Sequence, residues 1–114
     1  MNSSIPEALA GLTIDGYAVP CAAVRYDGTA PSYVLYSLLG QTGEIYAEGR
    51  EAETGVGYAV DCYSPGRSPA LMIAVKVALE AAGYVVTVEL EHYDHESDRF
   101  QSSLTAILEG AVYE

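Results

Sequence analysis

The residue types in this chain that could bind a metal lie close together, between positions 92 and 98. They are two histidines and three acids, His92, Asp94, His95, Glu96 and Asp98. Imidazole and carboxylate groups suit divalent cations, so this segment could serve a small metal-dependent enzyme. However, a segment that passes from a strand into a loop directs His92 and His95 differently, and acids are common in the turns of an acidic protein. We interpret the segment as a solvated connection and keep the metal-dependent enzyme as an alternative.

No other segment carries a catalytic pattern. No serine lies in a nucleophile elbow. The glycines around position 55 lack the Gly-Lys-Ser/Thr ending of a phosphate-binding loop and are surrounded by acids. The two cysteines, Cys21 and Cys62, each lie in an apolar, strand-like run, and we interpret them as buried reduced thiols. We therefore expect that the chain has no catalytic residue, binds no cofactor and is not an enzyme.

The composition excludes some classes of binding partner. The chain has 114 residues, half of them apolar, which is enough for one domain spanning 1–114. Sixteen acids against five basic residues give a formal net charge of -11, which disfavours binding to nucleic acids and to anionic membranes. No apolar run approaches the ~20 residues of a membrane span, and the start lacks a signal-peptide pattern. We expect a soluble protein made in the cytosol, whose ten tyrosines serve strands and interfaces.

The apolar periodicity predicts a mixed α+β fold. We expect an antiparallel sheet of about four to five strands, with a long helix over about 69–82 and a short N-terminal helix packed on it. The predicted extended segments are 17–25, 32–39, 44–47, 58–63, 85–92 and 100–108. Pro20 predicts an edge position or a bulge for the first. The second is apolar on both faces and should be central, whereas the fifth should place Val86, Val88 and Leu90 on one face.

The predicted long helix carries two apolar stripes. Ser68 can cap it, Pro69 suits its first position, and Gly83 suits the residue after its end. Its sheet-facing side should comprise Leu71, Ala74, Val75, Ala78, Leu79 and Ala82. A second stripe on its far side comprises Ile73, Val77 and Ala81. One helix on one sheet does not need two apolar stripes, so either the N-terminal helix or a neighbouring subunit covers the second, and we favour the subunit.

Residues 48–57 combine acids with glycines and predict an extended hairpin tip. Glu48, Glu51 and Glu53 make it negative, with Arg50 as its one basic residue. The general expectation for such a run is a solvated loop. An acidic loop could also line a channel through which nucleic acid passes, because it repels phosphates.

Taken in order, these segments resemble the small tail-completion, or tail-terminator, proteins of long-tailed bacteriophages with non-contractile tails. The similarity extends from about Tyr17 to the C-terminus. The matching pieces, in order, are Tyr33-Val34-Leu35-Tyr36, Tyr46-Ala47 before the acidic tip, Val60 to Gly66, the helix ending at Glu80 to Tyr84, Tyr93 to Asp98, and the last long strand. The chain departs from the family in its short N-terminal helix and in having Ala59 and Cys62 where bulkier apolar residues are common.

The resemblance implies a ring-forming structural protein without catalytic residues. Such proteins form a ring, typically hexameric, that caps the head-proximal end of the tail tube, stops its polymerisation and docks to the filled head. The implied partners are further copies of the chain, the tail tube protein and the neck or head-completion proteins. The implied location is the neck of the virion, assembled in the cytoplasm of a bacterial host. Other neck or head-completion connectors of similar size are the alternative within the same biology.

Residues can be assigned to this ring as hypotheses. DNA would pass through the lumen without specific binding if Glu48, Glu51 and Glu53 line it. A head-to-tail ring contact needs two different patches on each subunit. The candidate interface residues are Ile73, Val77 and Ala81 on the helix and Tyr33, Tyr46 and Tyr63 on the hairpin. The alternative from another class is an acidic adaptor or DNA mimic that binds a basic partner as a monomer or dimer.

Overall fold

The computed structural model describes residues 4–41 and 55–109, which form two helices and seven strands. In chain order these are α1 (Ile5–Ala8), β1 (Thr13–Ile14), β2 (Tyr17–Ala18), β3 (Cys21–Ala23), β4 (Tyr33–Gln41), β5 (Gly55–Ser64), α2 (Pro69–Ala81), β6 (Val85–Asp94) and β7 (Arg99–Glu109). Strands β1 and β2 pair as a small separate hairpin. The other five form one sheet in the order β3-β4-β5-β7-β6.

The predicted mixed α+β class, in which two helices accompany a main sheet, is confirmed, but three details of the prediction were wrong. The main helix has 13 residues and is short rather than long. The described ranges hold seven strands rather than four or five, because the small hairpin adds two. The sheet is not wholly antiparallel, since β3 runs parallel to β4. The predicted strand 44–47 lies outside the described residues.

Each helix begins at a side-chain cap. The Glu7 backbone N–H donates to Ser4 Oγ at 3.3 Å, and the Ser4 N–H donates to Glu7 Oε1 at 2.9 Å, so a reciprocal capping box starts α1. At the start of α2, the Leu71 N–H donates to Ser68 Oγ at 3.2 Å. Neither helix is long and apolar enough to cross a membrane.

The core lies between α2 and one face of the sheet. Alternate residues of the central strands, such as Val60 and Leu104, face the helix and are almost completely buried. From α2 the buried side chains are Leu71, Val75 and Leu79. Ile5 of helix α1 and Leu9, the residue that follows this helix, belong to the same cluster. Burying a large aliphatic side chain contributes roughly 1.5–3 kcal/mol, so this one cluster supplies most of the driving force for folding.

Two predicted strands are interrupted. The segment 17–25 splits into β2 and β3 at Val19 and Pro20, although Pro20 does precede an edge strand as predicted. In β6 the register shifts between Val88 and Leu90, which is the signature of a β-bulge. Leu90 therefore pairs with Ser103 and lies on the face opposite the core, so the prediction that it shares a face with Val86 and Val88 was wrong.

The two cysteines are free thiols on either side of Val34. Residues Cys21, Val34 and Cys62 are laterally paired on three successive strands. Since neighbouring strands lie about 4.8 Å apart, the two cysteine Cα atoms are separated by roughly 10 Å. A disulfide needs less than about 7 Å, so this geometry excludes a bridge. Burial raises the pKa of the Cys62 thiol to about 12 and that of Cys21 to about 11, which keeps both thiols protonated at neutral pH.

We expect the free energy of unfolding to fall as the pH rises from about 9 towards 12. In this window the unfolded chain has released the Cys62 proton, whereas the folded chain still holds it, since burial raises its pKa from 9.0 to about 12. The unfolded state then binds fewer protons, so alkali favours it; below pH 9 this contribution is fully retained. Urea unfolding followed by circular dichroism across this range would measure the slope.

The matched control is Cys62→Ala. This substitution lowers stability at every pH because it leaves a cavity, but it removes one titrating group. Between pH 9 and 12, the free energy of unfolding of this variant should therefore fall less steeply with pH than that of the natural chain. Equal slopes for the two proteins would contradict the assignment.

Candidate assembly surfaces

The second stripe of α2 is an exposed apolar surface. Ile73 and Val77 are 53% and 58% exposed, and Ala81 is exposed as well. The opposite side of the same helix is fully buried, because Val75 and its i±4 neighbours pack on the sheet. Helix α1 therefore leaves the stripe uncovered, and its residues lie at i, i+4 and i+8 along one line of the helix.

The sheet face opposite the helices is the second large surface. Both helices pack on the other face, so the side chains that alternate with the core residues point away from them. In the central strands this open face carries Leu35, Ser37, Ala59, Asp61, Ser103, Thr105 and Ile107. These residues are half-buried, and the one charged side chain among them, Asp61, accepts a hydrogen bond from Ser103 Oγ at 2.7 Å.

Three stacked tyrosines occupy one end of this open face. The ring centroids of Tyr33 and Tyr63 lie 4.9 Å apart at 17°, and Tyr26 stacks on the other side of Tyr33 at 4.7 Å. The Arg99 guanidinium lies 5.9 Å from the Tyr33 ring centroid, within range of a cation–π contact. Burial, aided by the nearby Asp61 charge, raises the pKa of Tyr63 to about 12. The stack thus presents neutral, amphipathic rings at the surface.

Contacts within the 24–32 loop position the outermost ring of this stack. The Ala30 N–H donates to the Tyr26 hydroxyl oxygen at 3.0 Å, which closes the loop over the ring. Gly28 lies directly against the phenol, where a Cβ atom would overlap it. Arg99 fixes the loop from the other side, because its Nε donates to the Pro31 carbonyl at 2.8 Å.

Tyr26, Arg99 and Leu90 belong to this surface, although sequence reasoning did not assign them to it. Tyr26 lies in the 24–32 loop, and its ring reaches the sheet only because the chain folds back after β3. Leu90 was missed because a bulge cannot be read from alternation. The predicted interface residues Tyr33 and Tyr63 are brought together, on the side of the sheet opposite Ile73 and Val77.

The 92–98 segment spans the end of β6 and the turn into β7. His95 packs its ring against Tyr93 with centroids 4.9 Å apart, and the Ser97 hydroxyl donates to Asp94 Oδ2 at 2.7 Å, which lowers the pKa of Asp94. Within residues 4–41 and 55–109, no group of three or more histidine, cysteine or acidic side chains is arranged to hold a metal ion.

The remaining predicted site residues, Tyr46, Glu48, Glu51 and Glu53, lie outside the described ranges. No protein-family model matches this chain, and no curated protein matches it either.

We expect Gly28→Ala to disorder the tyrosine stack. The added methyl group would displace the Tyr26 ring, which loses its contact with Tyr33 and the hydrogen bond from Ala30, together about 1 kcal/mol. The chain has ten tyrosines and no tryptophan, so near-ultraviolet circular dichroism reports these rings. The signal should weaken and the urea midpoint should fall.

Gly66→Ala is the matched control. A Cβ at Gly66 would meet nothing within 4 Å, so this variant should leave both measurements unchanged. A Gly28→Ala spectrum identical to that of the natural chain would show that the ring does not depend on the glycine.

Proposed function

We propose that this chain is a structural protein of a long-tailed bacteriophage virion. In this proposal it forms the tail-terminator ring that caps the head-proximal end of the tail tube and provides the surface to which the head docks. It acts through shape and ring closure rather than through catalysis. The ring is assembled in the cytoplasm of the bacterial host and remains in the neck of the virion.

The main observation in support of the proposal is that the subunit has two different exposed surfaces, one on the outer side of the helix layer and one on the outer side of the sheet. One is the apolar stripe of Ile73, Val77 and Ala81, and the other is the open sheet face with the Tyr33 and Tyr63 rings. A ring of identical subunits needs heterologous contacts, in which one patch of each subunit meets a different patch of the next. Aromatic and aliphatic residues free of charge are the residue types enriched at the centres of such contacts.

The charge of the chain supports a role around passing DNA. With a net charge of -11, a ring of several copies carries a large negative charge, which repels phosphates from its lumen. Glu48, Glu51 and Glu53 remain the residues proposed to line that lumen. The tail tube protein and the neck or head-completion proteins are the proposed partners on the two ends of the ring.

The same charge is also compatible with an acidic adaptor that binds a basic partner. The two proposals differ in their response to salt. Screening weakens attraction between an acidic protein and a basic partner, whereas it relieves repulsion between identical acidic copies. Sedimentation at low and high salt therefore separates them: self-association that strengthens with salt supports the ring.

We expect Val77→Asp to weaken self-association while leaving the monomer folded. Val77 is 58% exposed, so the change should alter the free energy of unfolding by no more than about 0.5 kcal/mol. A charge placed in a desolvated contact is costly, so the concentration at which oligomers form should rise at least tenfold. Sedimentation velocity would measure this concentration.

Two controls make this result interpretable. Ala10→Asp adds the same charge at an exposed position on neither surface and should not change assembly. Val75→Asp introduces it into the core and should unfold the chain. If Val77→Asp unfolds the chain as well, the stripe belongs to the core and the interface assignment fails.

The function itself can be tested by tail-tube assembly. Purified protein added to polymerising tail tube subunits from the same genome should cap the tubes, limit their length and appear as a ring at one end in negative-stain micrographs. The Val77→Asp variant should cap them poorly. Tubes that grow to the same length with and without the natural chain would reject the terminator role.

A further inference from the structure

Both edges of the five-stranded sheet have unpaired stretches in the described part of the chain. Strand β3 pairs with β4 only from Val34 to Tyr36, so beyond Tyr36 no described strand pairs with β4 on the side away from β5. At the opposite edge, no described strand pairs with the outer side of β6. Unpaired edges with exposed apolar residues are templates for pairing with another chain.

The two free stretches lie at the same end of the sheet. Lateral pairing connects Ser37 through Ala59 and Thr105 to Thr87. The next rows connect Leu38 to Val86 and Gly40 to Val85 in the same way. Each of these rows of laterally paired residues begins in the free part of β4 and ends in the first half of β6, so the two free stretches lie at the same level on opposite edges of the sheet.

The chemistry of these stretches matches. Residues 37–41 and 85–88 contain no charged side chain, although the chain as a whole carries 16 acids. Both stretches expose large apolar groups, Leu38 and Leu39 on one edge and Val85 and Val88 on the other. Two copies could therefore approach along these edges without bringing like charges together.

The strand directions also match. Three antiparallel steps, β4 to β5, β5 to β7 and β7 to β6, make β6 run opposite to β4 within one subunit. When a second copy is placed beside the first in the same orientation, β6 of one copy meets β4 of the other in antiparallel alignment. A head-to-tail ring whose strands run along its axis repeats this relation at every contact.

The bulge in β6 falls where such a pairing must end. Continuing the rows places Val85 to Thr87 beside the free part of β4 in the neighbour. The following row contains Val88 in one copy and Tyr36 in the other, and the edge of Tyr36 is already occupied by β3. The register shift after Val88 turns β6 at this point.

We propose that a second copy of this chain docks by edge-to-edge sheet extension, with residues 85–87 of β6 pairing antiparallel with residues 37–41 of β4. The sheet then continues from one subunit to the next, and Ser37 of one copy lies near Thr87 or Val85 of the other, on the open face. This inference rests on the proposed ring, which requires copies in one common orientation, and it makes the sheet edges, rather than the α2 stripe and the open face, the contact between neighbouring copies.

Cysteine cross-linking between separately purified variants tests the contact. Chains carrying Ser37→Cys are mixed with chains carrying Thr87→Cys, or in a second mixture Val85→Cys, under mild oxidation and analysed on non-reducing gels. Opposed residues on antiparallel strands have Cα atoms about 4.5–5.5 Å apart, within disulfide range. At least one mixture should give covalent dimers, each variant alone should give none, and a chain carrying both changes of the reactive pair should give a ladder.

Matched controls separate the outcomes. Val88→Cys is exposed on the same strand but faces the helix side, and it should not cross-link with Ser37→Cys. The natural chain, whose own thiols are at least half buried, should give no covalent product. Dimers from Ser37→Cys alone would indicate symmetric β4 pairing and overturn the proposal.

Failure of this contact can be told apart from failure of the ring. If the natural chain forms oligomers in solution and neither mixture cross-links, the edges are not the contact, while the proposed function stands on other surfaces. If the natural chain is a monomer at every concentration and salt, the ring itself is rejected, and the edge contact with it.

Discussion

The structure depends on one packing interaction, the burial of the inner side of α2 against β5 and β7. Val75 of the helix and Val60 and Leu104 of the sheet are inaccessible to solvent, and the rest of the core is arranged around them. Two layers suffice for this core, and two layers necessarily have two outer surfaces. In this chain both outer surfaces carry exposed apolar side chains, Ile73 and Val77 on the helix and Leu90 on the sheet, which favours a function carried by the surfaces.

Much of this arrangement can be read from the sequence because the signals are local. Ser68, Pro69 and Gly83 delimit α2 almost to the residue, since a cap, a first-turn proline and a left-handed glycine each act within one turn. The inner side of the helix and the two faces of β7 follow from periods of 3.6 and 2 residues. The exposed stripe follows from the same helical period, because it places Ile73 and Val77 on the side of the helix that faces away from the sheet.

The errors arise where the backbone departs from a regular period. The bulge after Val88 moves Leu90 to the other face of the sheet, and no residue type in the segment predicts this bulge. Val19 and Pro20 divide one apolar run into strands belonging to two sheets. The parallel pairing of β3 with β4 and the placing of Tyr26 on Tyr33 depend on how a loop returns, which is a tertiary property. The edges of the sheet cannot be read from the sequence for the same reason, because an edge is defined by the absence of a neighbouring strand.

The charge of the chain constrains any assembly it forms. Copies carrying a net charge of -11 repel one another, and at physiological salt this repulsion is felt over about 8 Å. A stable contact must therefore bury surface that holds no acid, and it must keep the acids farther apart than that distance. The stripe of α2 and the two free edges meet the first condition. Residues 37–41 and 85–88 contain no acid, and Glu80, which lies beside the stripe, forms an ion pair with Lys76 at 2.8 Å. Burial of apolar surface then provides the attraction between copies. Repulsion between acidic surfaces restricts the orientations in which two copies can meet.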